Sequence, residues 1–208
     1  SAPTTISCGA GATLAGLCKF AQRNSLTGLE FAWGIPGTVG GAAFMNAGAY
    51  DGQFSDVLVS TTHVTRSGKT DSLLGPEMEM DYRKSAYQEN GCIVTSVVVR
   101  LEPGSQEQIS MQMDEYFNRR KARQPLEMPS AGSVFKRPEG MYAGTLIEEA
   151  GLKGTQIGGA MVSEKHAGFI VNTGNATCED VLKLIDKIRD TVKKKSGVTL
   201  ECEIRPVS

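Results

Sequence analysis

The 208 residues suffice for one large core or two smaller ones, and 40% hydrophobic with 22% charged residues is an ordinary balance for a globular protein. A net charge of −1 excludes bulk attraction to nucleic acid or to an anionic membrane surface, and no apolar stretch reaches membrane-span length. The five cysteines form no C-x-x-C pair and the two histidines, His63 and His166, lie far apart, which argues against a metal centre, a disulfide framework or a histidine-based hydrolase, and for a reducing, cytoplasmic setting.

The opening "SAPTTISCGAGATL" has no initiator methionine or signal peptide, and Thr5 to Ser7 read as the end of a strand already under way. A truncated or processed chain is therefore expected. Thr13 is placed to cap a helix running to about Asn24, with Leu14, Leu17, Cys18 and Ala21 on one face. After a glycine-rich stretch, "VLVSTTHVTRSGKTDSLL" predicts two strands around a turn at Ser67-Gly68, and "GCIVTSVVVRLEPG" a third. Ser105 with Gln108 forms a capping box for a helix whose predicted buried stripe is Ile109, Met113, Tyr116 and Phe117. At "RQPLEMPSAGSVFKRPEG" three prolines fall within fourteen residues, the best candidate domain boundary. Beyond it come a short helix in "YAGTLIEEAG" closed by Gly151, and a strand in "HAGFIVN". The strongest helix starts at Thr177 with Asp180, and its run Lys193, Lys194, Lys195 reads as a solvated helix end favourable to the dipole. The final "VTLECEIR" alternates, with Val198, Leu200, Cys202 and Ile204 on one side and Thr199, Glu201, Glu203 and Arg205 on the other. The fold class is α+β, with two lobes and mainly antiparallel pairing.

Five stretches bear on chemistry. "GIPGTVGGAAFMNAGAYDG" (34–52) holds six glycines in nineteen residues and no Lys, Arg, Glu or His. It is neither a Walker loop nor a dinucleotide fingerprint, and its bulky members Trp33 (just before it), Ile35, Phe44, Met45 and Tyr50 argue against a loose linker. Close helix packing and backbone wrapping of a flat or phosphorylated ligand both remain open. "MDYRKSAY" sets Arg83 between tyrosines, either a surface arginine stacked on an aromatic or a fixed cation for a carboxylate. "AGSVFKRP" puts Ser133 in a turn with Lys136 and Arg137 behind it; the hydroxyl either bonds to nearby backbone or delivers a proton. His166 reads as a hydrogen-bonded strand-entry residue or an acid, and Glu203 as a wet-face carboxylate.

Taken together these stretches say more. "GLEFAWGIPGTVGGAAFMNAGAY", "DYRKSAY", "PSAGSVFKRP", "IGGAMVSEKHAGFIVN" and "LECEIR" follow one another over essentially the whole chain. In wording and order the sequence resembles the UDP-N-acetylenolpyruvoylglucosamine reductase family, in the variant without an extra tyrosine-bearing loop. The resemblance implies the second lobe of a two-lobed FAD-binding fold of the vanillyl-alcohol-oxidase kind, plus a smaller α+β substrate-binding domain. Residues 1–123 are implied as the FAD-binding part, with 198–208 returning to it as a strand, and 124–197 as the substrate domain.

The family's chemistry is NADPH-driven, FAD-dependent reduction of an enolpyruvyl ether on a UDP-sugar, a step of peptidoglycan precursor synthesis that needs no metal. By resemblance Ser133 is the proton donor, while Arg83 and Glu203 stabilise the enolate and its carboxylate. Cofactor contacts are implied at Gly34, Ile35, Pro36, Gly37, Thr38, Gly40, Gly41, Asn46, Gly48 and Ala49. Substrate contacts are implied at Tyr82, Arg123, Lys136, Arg137 and His166. Relatives carry a further flavin subdomain, with a glycine-asparagine phosphate loop, ahead of the point where this sequence starts. The expectation is a monomer that by itself retains FAD weakly and turns over little. The competing readings are a UDP-sugar-binding module without redox activity, and an unrelated flavoprotein oxidase, which would need a different domain after Gln124.

Overall fold

A strand, β1 (Thr4–Gly9), leads into helix α1 (Leu14–Arg23) in the computed structural model, which describes residues 2–207. Thr13 caps α1 as expected, its side chain accepting from the Gly16 N–H, and Leu14, Leu17, Cys18 and Ala21 are buried. There follow β2 (Leu26–Thr27), helix α2 (Val39–Met45), a tight hairpin of β3 (Gly48–Ala49) and β4 (Gly52–Gln53), then β5 (Leu58–Val64) and β6 (Thr70–Leu74). A short helix α3 (Tyr87–Asn90), the long strand β7 (Ile93–Pro103) and helix α4 (Gln106–Arg123) complete this part. The chain divides near the end of α4 into the units Ser1–Arg120 and Lys121–Ser208.

The first unit is built on an antiparallel sheet of order β1-β7-β5-β6, with β2 pairing the far end of β7. Strand β7 alternates as a half-buried strand should, with Val97, Val99 and Leu101 at most 1% exposed. Each contributes about 2 kcal/mol of transfer free energy to the core that α1 and α2 cover. On α4 the buried stripe differs from the expected one. Ile109 and Met113 are buried, but Phe117 is 39% exposed and Arg120 only 7%. The spacing 109, 113, 116, 120 follows one helix face, and Phe117 lies about 70° off its centre.

The second unit holds β8 (Ser130–Ser133), α5 (Ala143–Glu149), β9 (Gln156–Ile157), β10 (Ala160–Val162), β11 (Phe169–Asn172) and α6 (Cys178–Ser196). Its antiparallel sheet has the order β8-β11-β10-β9. Helix α6 opens with the capping box of Thr177 and Asp180, ends at Gly197 in the left-handed region, and buries Leu184, Ile185, Ile188 and Val192. The C-terminal segment departs from expectation. Among the described residues it pairs only through the isolated bridge Phe135↔Cys202, and it belongs to the second unit, not to the first. The cause is apolar: Leu200 is fully buried in the second core, with Val198, Cys202 and Ile204 packed beside it. Residue 208 of the expected strand lies outside the described residues.

Candidate active site

The glycine-rich stretch meets protein at several of its glycines. A Cβ on Gly40 would stand 2.8 Å from the Ala10 Cβ, one on Gly48 2.8 Å from the Gly52 carbonyl, and one on Gly52 2.7 Å from the Phe31 ring. Gly34, at φ +82°, sits under Phe117 and Arg120, and Ile35 is half-buried beside it. Thr38 caps α2 by accepting from the Gly41 N–H at 3.1 Å. The segments 10–12 and 37–40 lie side by side, joined by Gly40 N–H to Ala10 O, Val39 N–H to Ala12 O and Leu14 N–H to Gly37 O, all within 3.0 Å.

What remains open forms one backbone-lined edge. Pro36, Gly37, Thr38 and Gly41 are exposed. Nothing lies within 4 Å of where a Cβ would stand on Gly9, Gly11 or Gly37. Bare, uncharged backbone of this kind fits close approach of a planar ring system with a phosphate-bearing tail, and so fits FAD.

The C-terminal end of α2 presents carbonyls that the helix cannot satisfy itself. Side chains from residues 83–88 take them up. Ser85 Oγ donates to Phe44 O at 2.7 Å, Gln88 Nε2 to the same oxygen at 3.2 Å, and the Arg83 guanidinium to Gly48 O at 3.0 Å and Asn46 O at 3.4 Å. Arg83 adopts φ +53°, uncommon for a residue with a side chain, and its guanidinium lies 5.1 Å from the exposed Tyr82 ring. Asn46 closes α2 in the left-handed region and is 1% exposed. Its Nδ2 donates to Asp81 O and Gln53 Oε1, and its Oδ1 accepts from Ser55 N–H. The Asn46 side chain is thus fully engaged with protein. Ala49 lies in β3, beside Tyr50, whose ring stacks on Tyr116 at 4.3 Å with Arg119 and Arg120 over it. Burial lowers the Arg120 pKa.

In the second unit Ser133 ends β8, paired with Phe169 of β11. The C-terminal segment runs beside it: Glu203 N–H donates to Val134 O at 2.8 Å and Lys136 N–H to Glu201 O at 2.8 Å. Ser133 and Glu203, seventy residues apart in sequence, are therefore next to each other's backbone neighbours. Alternation could not separate Glu201 from Glu203, and here they differ. Glu201 is exposed and paired with Lys136 at 2.5 Å, while Glu203 is half-buried. Around Gly168 the packing is close: a Cβ there would stand 3.5 Å from Ser133 Oγ and 3.0 Å from His166 Cε1.

The His166 Nδ1 accepts the Gly168 N–H at 3.1 Å, which puts the ring proton on Nε2. Burial holds this imidazole below the usual histidine range, and the Lys153 charge pushes the same way. Arg137 is exposed and stacked over the Tyr142 ring at 3.9 Å, and Arg123 is exposed at the end of α4. The structure thus groups Ser133, Glu203, Lys136 and His166 in one unit, and Arg83, Tyr82 and the glycine-rich segment in the other. The reading of the sequence missed Ser85 and Gln88, which hold the Arg83 turn; their polarity in an R-x-S-x-x-Q string was the available signal. Among the described residues no cluster of His, Cys, Asp or Glu is placed to hold a metal, and no helix is long and apolar enough to cross a membrane.

A glycine-lined backbone edge in one unit, and a serine and glutamate on adjoining backbone in a second, fit a flavin-binding α+β protein with an added domain. Comparison with known proteins makes this particular. The family model of an FAD binding domain matches residues 2–73, and that of the UDP-N-acetylenolpyruvoylglucosamine reductase C-terminal domain matches residues 124–207. A curated UDP-N-acetylenolpyruvoylglucosamine reductase of Lachnoclostridium phytofermentans is 52% identical over 197 residues, covering 95% of this chain and 64% of the relative. One from Streptococcus pneumoniae is 51% identical over 201 residues, covering 97% and 67%. The crystal structure of the reductase from Thermus caldophilus superposes with a TM-score of 0.85 at 39% identity, covering 96% of this chain and 71% of that one. The chain belongs to the UDP-N-acetylenolpyruvoylglucosamine reductase family. It spans about two thirds of the length of the curated relatives it matches.

Proposed function

We propose that the chain carries out, as part of its whole protein, the NADPH-driven reduction of UDP-N-acetylglucosamine enolpyruvate to UDP-N-acetylmuramate in peptidoglycan precursor synthesis. The observation that carries this is the juxtaposition of Ser133 and Glu203, a hydroxyl and a carboxylate on neighbouring backbone, in a chain whose residues 2–73 match an FAD binding domain. FAD would be held along Pro36, Gly37, Thr38, Gly41 and the Gly9–Gly11 backbone, and when bound and reduced by NADPH it supplies hydride to the terminal enol-ether carbon. Negative charge then develops on the carbon next to the substrate carboxylate. Arg83 and Glu203 stabilise that charge through the carboxylate, and Ser133 Oγ gives its proton to the carbon, leaving a saturated lactyl ether. Lys136, Arg137, Arg123 and His166 serve the UDP-sugar, the neutral imidazole acting as a donor from Nε2. The protein acts as a cytoplasmic monomer.

The test is NADPH oxidation by the complete gene product, with and without the enolpyruvyl substrate. Oxidation coupled one-to-one to substrate reduction is expected. Binding of the UDP-sugar without NADPH consumption would instead make this a redox-silent binding module. A Ser133→Ala variant should still be reduced by NADPH and lose about 10²–10⁴-fold in substrate reduction; unchanged turnover would remove Ser133 from its role.

A further inference from the structure

We propose that the side-chain amides of Asn46 and Gln88 are positioning residues that clamp Arg83 in the left-handed backbone conformation from which its guanidinium reaches the end of α2. The inference rests on the role given to Arg83 above. Arg83 is held at φ +53°, a conformation a side-chain-bearing residue leaves unless its surroundings fix it. Two amides do the fixing from opposite sides of the turn. Asn46 Nδ2 donates to Asp81 O at 3.0 Å, just before Arg83, and Gln88 Nε2 donates to the carbonyl of Arg83 itself at 2.9 Å.

Each amide is also tied to the glycine-rich segment. Asn46 is the cap that follows α2, and Gln88 Nε2 donates to Phe44 O at 3.2 Å. The turn is therefore registered against the same backbone that carries the flavin-facing edge. An amide suits both positions because it offers donors without charge; a carboxylate there would face carbonyl oxygens. Asn46 further locks the hairpin side, accepting from Ser55 N–H at 2.9 Å and donating to Gln53 Oε1 at 3.1 Å. Arg83 released to negative φ would swing its guanidinium away from Gly48 O and Asn46 O, and a displacement of that size is costly to a group acting on a reacting carboxylate.

The experiment uses the complete, FAD-loaded enzyme and two variants, Gln88→Met, which keeps length and loses the donors, and Asn46→Gly, which keeps the left-handed backbone and loses the amide. In Gln88→Met the NADPH half-reaction should keep its rate while reoxidation by the enolpyruvyl substrate slows roughly 10- to 100-fold in kcat. In an Arg83→Ala background either change should cost less than about twofold more, since both act through Arg83. Independently of activity, amide exchange across residues 82–88 should speed up at least about tenfold in both variants, with β5 unchanged. Equal losses in the wild-type and Arg83→Ala backgrounds, or unchanged exchange across 82–88, would overturn the clamp while leaving the role of Arg83 in place. An Arg83→Ala enzyme with normal kcat would instead overturn the role of Arg83 and the clamp with it. If Asn46→Gly fails to fold, Gln88→Met decides by the same three readouts.

Discussion

Adjacent identical substitutions in α2 should have opposite effects. A Cβ on Gly40 would come within 2.8 Å of the Ala10 Cβ, 3.2 Å of Ala10 O and 3.4 Å of Ala10 Cα. These atoms belong to backbone or its first branch, so no flexible side chain can swing aside. Relief of roughly 1 Å has to come from separating segments 10–12 and 37–40. That separation strains the Gly40 N–H to Ala10 O bond at 2.9 Å and the Val39 N–H to Ala12 O bond at 2.9 Å. Overpacking costs about 1–3 kcal/mol, a weakened backbone hydrogen bond about 1, and the helical gain of alanine over glycine offsets about 1. Gly40→Ala should therefore destabilise by about 2 kcal/mol.

At Gly41 the added Cβ meets only Thr38 Oγ1 at 3.4 Å, an ordinary contact, and the same substitution should stabilise by about 0.5 kcal/mol. Trp33 is the single tryptophan of the chain, so urea unfolding followed by its fluorescence reports the first unit. With m of about 2 kcal/mol/M, Gly40→Ala should lower the midpoint by about 1 M and Gly41→Ala raise it by about 0.3 M. A Gly40→Ala midpoint at or above wild type, with m unchanged, would refute the close-packing account of this segment.

Cys18 is 1% exposed, and burial, with the Glu30 carboxylate near it, pushes its thiol up to about 12. Alkylation of the native protein at pH 8 should modify exposed Cys178 at least about 10³-fold faster than Cys18, and comparable rates would show the first core to be open. The two histidines allow a direct proton titration. His166 should titrate below the ordinary histidine range, because burial disfavours its charge and protonation breaks the bond from Gly168 N–H. Its folded pKa being lowered, its contribution to stability is complete above about pH 6.5 and is lost as pH falls through the folded value. An inflection at or above 6.5 would contradict the geometry.

The elements legible in the sequence were those whose signals are local. Thr13 before an apolar 3.6-residue period, and Thr177 with Asp180 before another, give α1 and α6 with the expected caps, because capping and amphipathicity need no partner element. The C-terminal segment shows where this fails. Its alternation of Val198, Leu200 and Cys202 is a real burial pattern, but burial in the second core satisfies it with one isolated bridge and no ladder, and nothing local says to which unit it returns. Arg120 was not in the expected stripe, although its spacing from Met113 puts it on the buried face. The candidate site is non-local by construction. Motif wording pointed to Ser133 and Glu203, but only the chain's return along β8 sets them on adjoining backbone, and burial distinguishes half-buried Glu203 from exposed Glu201.

The absence of reactive side chains from the glycine-rich segment follows from what its two ends must do. Near its start, Gly40 has to admit the Ala10 backbone, and Gly37 has to leave a bare edge; any side chain would block one or the other. At its far end, the carbonyls of Phe44, Asn46 and Gly48 are themselves the binding groups, taking donors from Ser85, Gln88 and Arg83. A lysine or glutamate along this helix would compete with those donors or repel them. Small neutral residues are thus what the segment requires when backbone is its working surface, and Arg83, held in its left-handed turn, is the charged group that this backbone orients.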